Sequence, residues 1–209
     1  MNVAIVDYGM GNLDSVRRAL EECGAKVSVT SSPRDLETVP AIVLPGVGAF
    51  PAGMRHLRQR GLIDVLTEQV VERRIPVLGI CLGMQLFAQK GWEMEETEGL
   101  GWISGEVHRL EAKHSEERIP HVGWNEVALV RSSPLFAGIP SGKDFYFVHS
   151  FHLDCRNSEE VLARTDYCAG FVSALERANI FGVQFHPEKS QKSGLQLFRN
   201  FLALCKGLM

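Results

Sequence analysis

The chain has 209 residues, 45% hydrophobic and 22% charged, the balance of an ordinary globular protein. A net charge of -3 and a pI near 6.2 give no electrostatic basis for binding nucleic acid. No apolar run approaches the roughly 20 residues that span a bilayer, so no membrane is expected. Residues 1–7 are too short and lack the basic region of a secretory signal, and they read better as a first strand. The cysteines are Cys23, Cys81, Cys155, Cys168 and Cys205, an odd and scattered set without a Cys-x-x-Cys. That argues against a disulfide framework or a zinc site and for a reducing cytoplasm.

In chain order, residues 3–7 form an apolar strand that breaks at Tyr8-Gly9-Met10-Gly11-Asn12. Leu13, Val16, Leu20 and Cys23 then recur at helical spacing, and Gly24 stops the helix. Residues 26–30 alternate as a second strand, and 41–44 form a third that ends in Pro45-Gly46-Val47-Gly48-Ala49-Phe50. A long helix is expected over about 52–72, followed by an apolar strand over 75–80 and a helix over 82–90. The alternation predicts an α/β fold, a mostly parallel central sheet flanked by helices in the flavodoxin-like manner. Ligands are then expected beyond the carboxyl ends of the strands.

From 91 to 117 the chain is acidic and punctuated by glycine, with Glu93, Glu95, Glu96 and Glu98, and reads as a solvated loop. Additional antiparallel strands follow in the second half, over 118–122, 125–130, 145–148, 161–164, 171–176 and 180–184, and a helix over 190–204 closes the chain. No repeat, low-complexity tract or linker interrupts it, so one domain over 1–209 is expected.

The organising stretch is Gly79-Ile80-Cys81-Leu82-Gly83. A strand arrives, a helix leaves, and glycines stand two residues either side of the cysteine. This is the pattern of a nucleophile elbow with sulfur in place of a serine oxygen. The helix that follows would aim its first N–H groups at the sulfur, the polarity a thiolate nucleophile requires. Downstream, Phe185-His186-Pro187-Glu188 ends a strand, with Pro187 restricting the backbone on both sides of itself. A thiolate needs a base that can also protonate the leaving group, and that imidazole needs a third group to orient it. Cys81, His186 and Glu188 supply the three types. Pro45-Gly46-Val47-Gly48 would let backbone N–H groups approach an oxyanion. These residues alone leave open a cysteine peptidase with a Cys-His-Glu triad, or a flavodoxin-like module with an inert cysteine. His149 and His152 have no carboxylate or cysteine at ligand spacing, so no metal is expected.

In this order and at these separations, the three stretches resemble the class I (triad) glutamine amidotransferases over essentially the whole chain. Finer markers resemble the glutaminase subunits of imidazole glycerol phosphate synthase within that family. They are Asp7-Tyr8-Gly9-Met10-Gly11-Asn12-Leu13, Pro45-Gly46-Val47-Gly48-Ala49-Phe50, Pro120-His121-Val122-Gly123-Trp124-Asn125 and Tyr146-Phe147-Val148-His149-Ser150. The resemblance implies hydrolysis of glutamine through a thioester on Cys81, with His186 moving the proton and Glu188 orienting it. It implies an oxyanion held near Val47, Gly48 and Leu82, glutamine bound by Gln85, Ser150 and Phe151, and no cofactor. Asn12, Trp124, Tyr146 and Lys189 match positions that face a partner. That partner is a separate (βα)₈-barrel synthase subunit, which receives the ammonia in histidine biosynthesis as one half of a heterodimer.

Overall fold

A computed structural model describes residues 1–207. The first half builds the sheet from short, apolar strands. They are β1 (Asn2–Val6), β2 (Lys26–Thr30), β3 (Ile42–Gly46) and β4 (Val77–Cys81). β3 and β4 are buried at every position, as strands covered on both faces must be. Helix α1 (Leu13–Glu22) packs Val16, Ala19 and Leu20 inward, and the Asn12 side chain accepts from the Ser15 N–H at 3.4 Å as its N-cap. A four-residue helix α2 (Pro33–Leu36), absent from the sequence reading, follows β2.

The helix expected over 52–72 is three pieces: α3 (Phe50–Gln59), α4 (Leu62–Thr67) and a π-helical turn over Glu68–Glu72. The break falls at Gly61, whose φ of +64° ends one helix and turns the chain into the next. The helix expected over 82–90 is only the single turn α5 (Leu82–Gln85). Its continuation is pre-empted, because the N–H groups of Phe87 and Ala88 donate only three residues back, to Met84 and Gln85, and that of Gln89 donates to the Gly105 carbonyl. A helix that short has little macrodipole to aim at the sulfur.

The acidic stretch is likewise more ordered than a loop. It holds β5 (Lys90–Gly91), β6 (Thr97–Glu98) and β7 (Gly105–Arg109). The two strands expected around Gly123 are one, β8 (His121–Leu129), because its pairing with β9 (Lys143–His149) runs unbroken from His121 opposite His149 to Val127 opposite Lys143. β10 (Phe151–Cys155), unforeseen, pairs antiparallel with β7. β11 (Val161–Thr165), β12 (Phe171–Arg177), β13 (Ile180–Val183) and helix α6 (Gln191–Gly207) complete the fold.

The main sheet has nine strands in the order β2-β1-β3-β4-β13-β12-β11-β8-β9. It is parallel from β2 through β13 and antiparallel beyond, which bears out the expected fold class. A smaller sheet, β10-β7-β5-β6, stands beside it. One core cluster lies with α1 and α6 and contains Phe181, Phe198 and Phe201. The other lies with α3, α4 and α5 and contains Phe50, Leu57 and Phe87. No described helix is long and apolar enough to cross a membrane.

Candidate active site

β4 lies between β3 and β13 with all three parallel, so the carboxyl ends of these strands form one rim. Gly46 pairs with Cys81 and Val183 pairs with Ile80. This register alone brings the Pro45-Gly46-Val47-Gly48 loop, Cys81 and the His186-Pro187-Glu188 turn together. Cys81 is a non-glycine residue at φ +54° and ψ -111°, a conformation costing about 1–3 kcal/mol that the surrounding packing must hold. The flanking glycines are required by contact. A Cβ on Gly83 would stand 1.8 Å from the Leu44 carbonyl oxygen, and one on Gly79 would stand 2.6 Å from the Phe87 ring.

The His186 Nδ1 lies 2.8 Å from Glu188 Oε1, and both side chains are only 2% exposed. The turn carrying them is bolted to β9: the His186 N–H donates to the Tyr146 carbonyl at 2.8 Å, and the Tyr146 N–H donates to Ser190 Oγ at 3.0 Å. Burial opposes a charge on His186, but the Cys81 sulfur and the Glu188 carboxylate outweigh it and raise its pKa to about 10. His186 Nε2 and Glu188 Oε2 are buried and have no hydrogen-bond partner at standard distances among the described residues, so no other group competes with Cys81 for the imidazole nitrogen.

A cavity of about 220 Å³ opens on Cys81, and Val47, Gly48, Leu82, Gln85, Ser150 and Phe151 all line it. The sequence drew these residues from three separate stretches. Residues not foreseen line it too, among them His149 and Glu93. Glu93 lies in the stretch read as solvated loop. Its Oε2 accepts the Phe50 N–H at 2.7 Å, the first residue of α3, which ties the carboxylate to a helix N-terminus. Its position after the elbow at a glycine-flanked turn carried no local signal of this. Gln184, fully buried, donates to the Cys81 sulfur at 3.6 Å and accepts from Gln85 Nε2 at 3.0 Å.

The model of the glutamine amidotransferase class-I family matches residues 4–205. The chain belongs to the class-I glutamine amidotransferases. It is thus an enzyme that takes nitrogen from the glutamine amide, with its nucleophile candidate at the elbow. It is 46% identical to "Imidazole glycerol phosphate synthase subunit HisH 1" of Campylobacter jejuni, covering 97% of this chain and 100% of that one. It is 48% identical to the HisH subunit of Moorella thermoacetica, covering 95% and 93%. A solved glutamine amidotransferase superposes with a TM-score of 0.76 at 20% identity, covering 98% of each chain, and shares the fold.

Three of the four residues matched to the partner side of amidotransferases cluster together. Trp124 sits opposite Tyr146 across β8 and β9, with ring centroids 6.1 Å apart, and Lys189 Nζ lies 5.5 Å above the Tyr146 ring. Trp124 is 46% exposed. Asn12 stands apart from this cluster in its contacts, as the exposed cap of α1. A larger cavity, about 470 Å³, lies at the opposite end of β4 beside Arg74, Trp102 and Arg177, and none of the triad residues reaches it.

Proposed function

We propose that this chain is the glutaminase subunit of an imidazole glycerol phosphate synthase, one amidotransferase domain over 1–209 working in the cytoplasm as a heterodimer with a (βα)₈-barrel subunit. The observation that carries the catalytic reading is the cavity that Cys81 shares with the glycine loop, with the buried His186–Glu188 pair acting on the same sulfur from behind it. The likeness to HisH subunits supports the choice of partner. The Cys81 sulfur attacks the side-chain carbonyl carbon of glutamine, and the tetrahedral oxyanion is held by backbone N–H groups at Val47, Gly48 and Leu82. The imidazolium of His186 gives its proton to the departing nitrogen, releasing ammonia and leaving a γ-glutamyl thioester. His186 then takes a proton from water, which displaces the sulfur and yields glutamate. Glu188 holds the imidazole's tautomer and stabilises its charge throughout.

Substrate orientation rests on polarity. Both N–H groups of Gln85 are used, on the Phe151 carbonyl at 2.8 Å and on Gln184 Oε1 at 3.0 Å, so Gln85 offers the substrate its Oε1 acceptor. Glu93 supplies the cavity's carboxylate for the substrate α-ammonium. Glu93→Gln keeps an acceptor for Phe50 but removes the charge. It is expected to raise KM for glutamine about 10–100-fold with little change in kcat. A KM within twofold of wild type counts against this role.

The decisive assay is glutamine-dependent synthesis with and without the barrel subunit and its nucleotide. The isolated chain is expected to hydrolyse glutamine slowly. Gly46 and Gly48 flank Val47, Gly48 stands at φ +129°, and Val47 is 46% exposed, so the peptide units there can rotate between presenting a carbonyl and presenting an N–H to the oxyanion. Partner and nucleotide favour the second orientation only through contacts that differ between the two states. Recovering one oxyanion donor corresponds to an increase of about 10²–10³-fold in turnover. High hydrolysis by the isolated chain, unchanged on addition of the partner, rules this switch out.

The Trp124–Tyr146–Lys189 cluster is the proposed docking face. Lys189→Glu is expected to weaken association about tenfold, with a stability change below about 1 kcal/mol, because an exposed charge contributes little to folding. Wild-type affinity in titration calorimetry would remove Lys189 from the interface.

A further inference from the structure

β8 carries a buried polar side chain that the mechanism above does not use. His121 is 4% exposed and His149 is 6% exposed, and their rings are joined through His121 Nδ1 and His149 Nε2 at 3.1 Å. The other nitrogen of His149, Nδ1, lies 2.9 Å from the Phe151 carbonyl oxygen, and that of His121, Nε2, lies 3.3 Å from Asn125 Nδ2. Elementary hydrogen-bond logic sets every proton in this series. A carbonyl only accepts, so His149 Nδ1 bears the hydrogen and, in a neutral ring, Nε2 accepts. His121 must then donate from Nδ1 and accept at Nε2. Asn125 agrees independently: its Oδ1 takes the Glu126 N–H at 2.8 Å, which leaves its amide N–H groups to face His121. Burial keeps both rings neutral, pushing His121 down to about 4 and His149 down to about 3.

The series continues past Phe151. The same carbonyl also accepts from Gln85 Nε2 at 2.8 Å, so both of its lone pairs are taken and it is not free to bind substrate. Gln85 donates onward to Gln184 Oε1 at 3.0 Å, and this turns the N–H groups of Gln184 towards the Cys81 sulfur at 3.6 Å. Each amide orientation follows from its neighbour's.

We propose that His149 and Gln184 are positioning residues for the reaction at Cys81, linked into one hydrogen-bond network that starts at Asn125 and His121, converges on the Phe151 carbonyl, which accepts from both His149 and Gln85, and runs on from Gln85 to Gln184. His149 holds the Ser150–Phe151 backbone and the Gln85 amide in place for glutamine, and Gln184 holds the sulfur. This rests on the glutaminase reading given above, and its test separates the two.

The experiment uses the full chain with its barrel partner, comparing glutamine-dependent with ammonia-dependent synthesis. Asparagine at 149 keeps an N–H donor at the position of Nδ1, whereas glutamine at 149 keeps an acceptor near the position of Nε2 and loses that donor. His149→Asn is therefore expected to leave KM for glutamine within about threefold of wild type, and His149→Gln to raise it about tenfold. Gln184→Leu is expected to lower glutamine-dependent kcat about tenfold, with ammonia-dependent synthesis unchanged. In nitrogen-detected NMR of the unaltered chain, both His121 and His149 are expected as neutral Nδ1–H tautomers. Equal KM values for the two His149 variants overturn the chain, and so does His149 as an Nε2–H tautomer or an imidazolium. A wild-type complex with no glutamine-dependent synthesis overturns the glutaminase reading instead, while the tautomers still decide the chain.

Discussion

Cys81→Ala is expected to reduce glutamine-dependent synthesis about 10⁴–10⁶-fold while the partner's ammonia-dependent synthesis continues at the wild-type rate. The size of the loss follows from chemistry: without sulfur no thioester forms, and the oxyanion donors are left to assist only direct attack by water. The fold should tolerate the change. Alanine faces the same left-handed backbone that cysteine already occupies at φ +54°, and Gly79 and Gly83 still provide the close contacts to Phe87 and Leu44. Measuring both nitrogen sources in the same preparation separates the outcomes. Loss of both activities would make Cys81 a structural residue, and glutamine-dependent turnover within tenfold of wild type would place the nucleophile elsewhere.

Glu188→Gln is the second large effect, with kcat expected to fall about 10³–10⁴-fold and KM for glutamine to change little. Glutamine fills the same space beside His186 and can still accept from Nδ1, but it brings no negative charge to a pair that is 2% exposed. The pH dependence carries a sign. Burial lowers the affinity of His186 for a proton, and the Cys81 sulfur and Glu188 together raise its pKa to about 10. The imidazolium that protonates the leaving nitrogen therefore persists through neutral pH and is lost as pH rises through that value. Removing the Glu188 charge removes part of the upward shift, so the alkaline limb of kcat/KM should move to lower pH in the variant. An unmoved limb with unchanged turnover would assign the orienting role to another group.

Much of this was legible in local patterns because it depends on local constraints. A glycine two residues either side of Cys81 speaks of a crowded strand-to-helix turn, and the turn is there with contacts of 1.8 and 2.6 Å awaiting any Cβ. Pro187 after His186 speaks of a stiff turn at a strand end. Apolar runs such as 42–44 and 77–80 read directly as strands covered on both faces. Local patterns were less informative where a segment's backbone partners lie far along the chain. The helix after the elbow stops at Gln85 because the N–H groups that follow shorten to three-residue bonds and that of Gln89 goes to Gly105, 16 residues on. Within residues 90–109, β7 is held by β10, more than 40 residues on, and β5 and β6 are added to that edge in turn.

By itself, then, the sequence determined the turns, the strand and helix types of most elements, and the set of reactive side chains, since these follow from backbone sterics and from hydrophobic period within a few residues. The tertiary structure decided which of those side chains meet. Parallel register places Gly46 beside Cys81 and the end of β13 beside both, and the β8–β9 and β10–β7 pairings bring in His149 and Phe151. Glu93 and Gln184 were unreadable as site residues for the same reason. A carboxylate in an acidic stretch and an amide at a strand end look like solvent and core. Only long-range strand pairing and packing, which no local window contains, bring Glu93 to the cavity wall and the Gln184 amide to the sulfur.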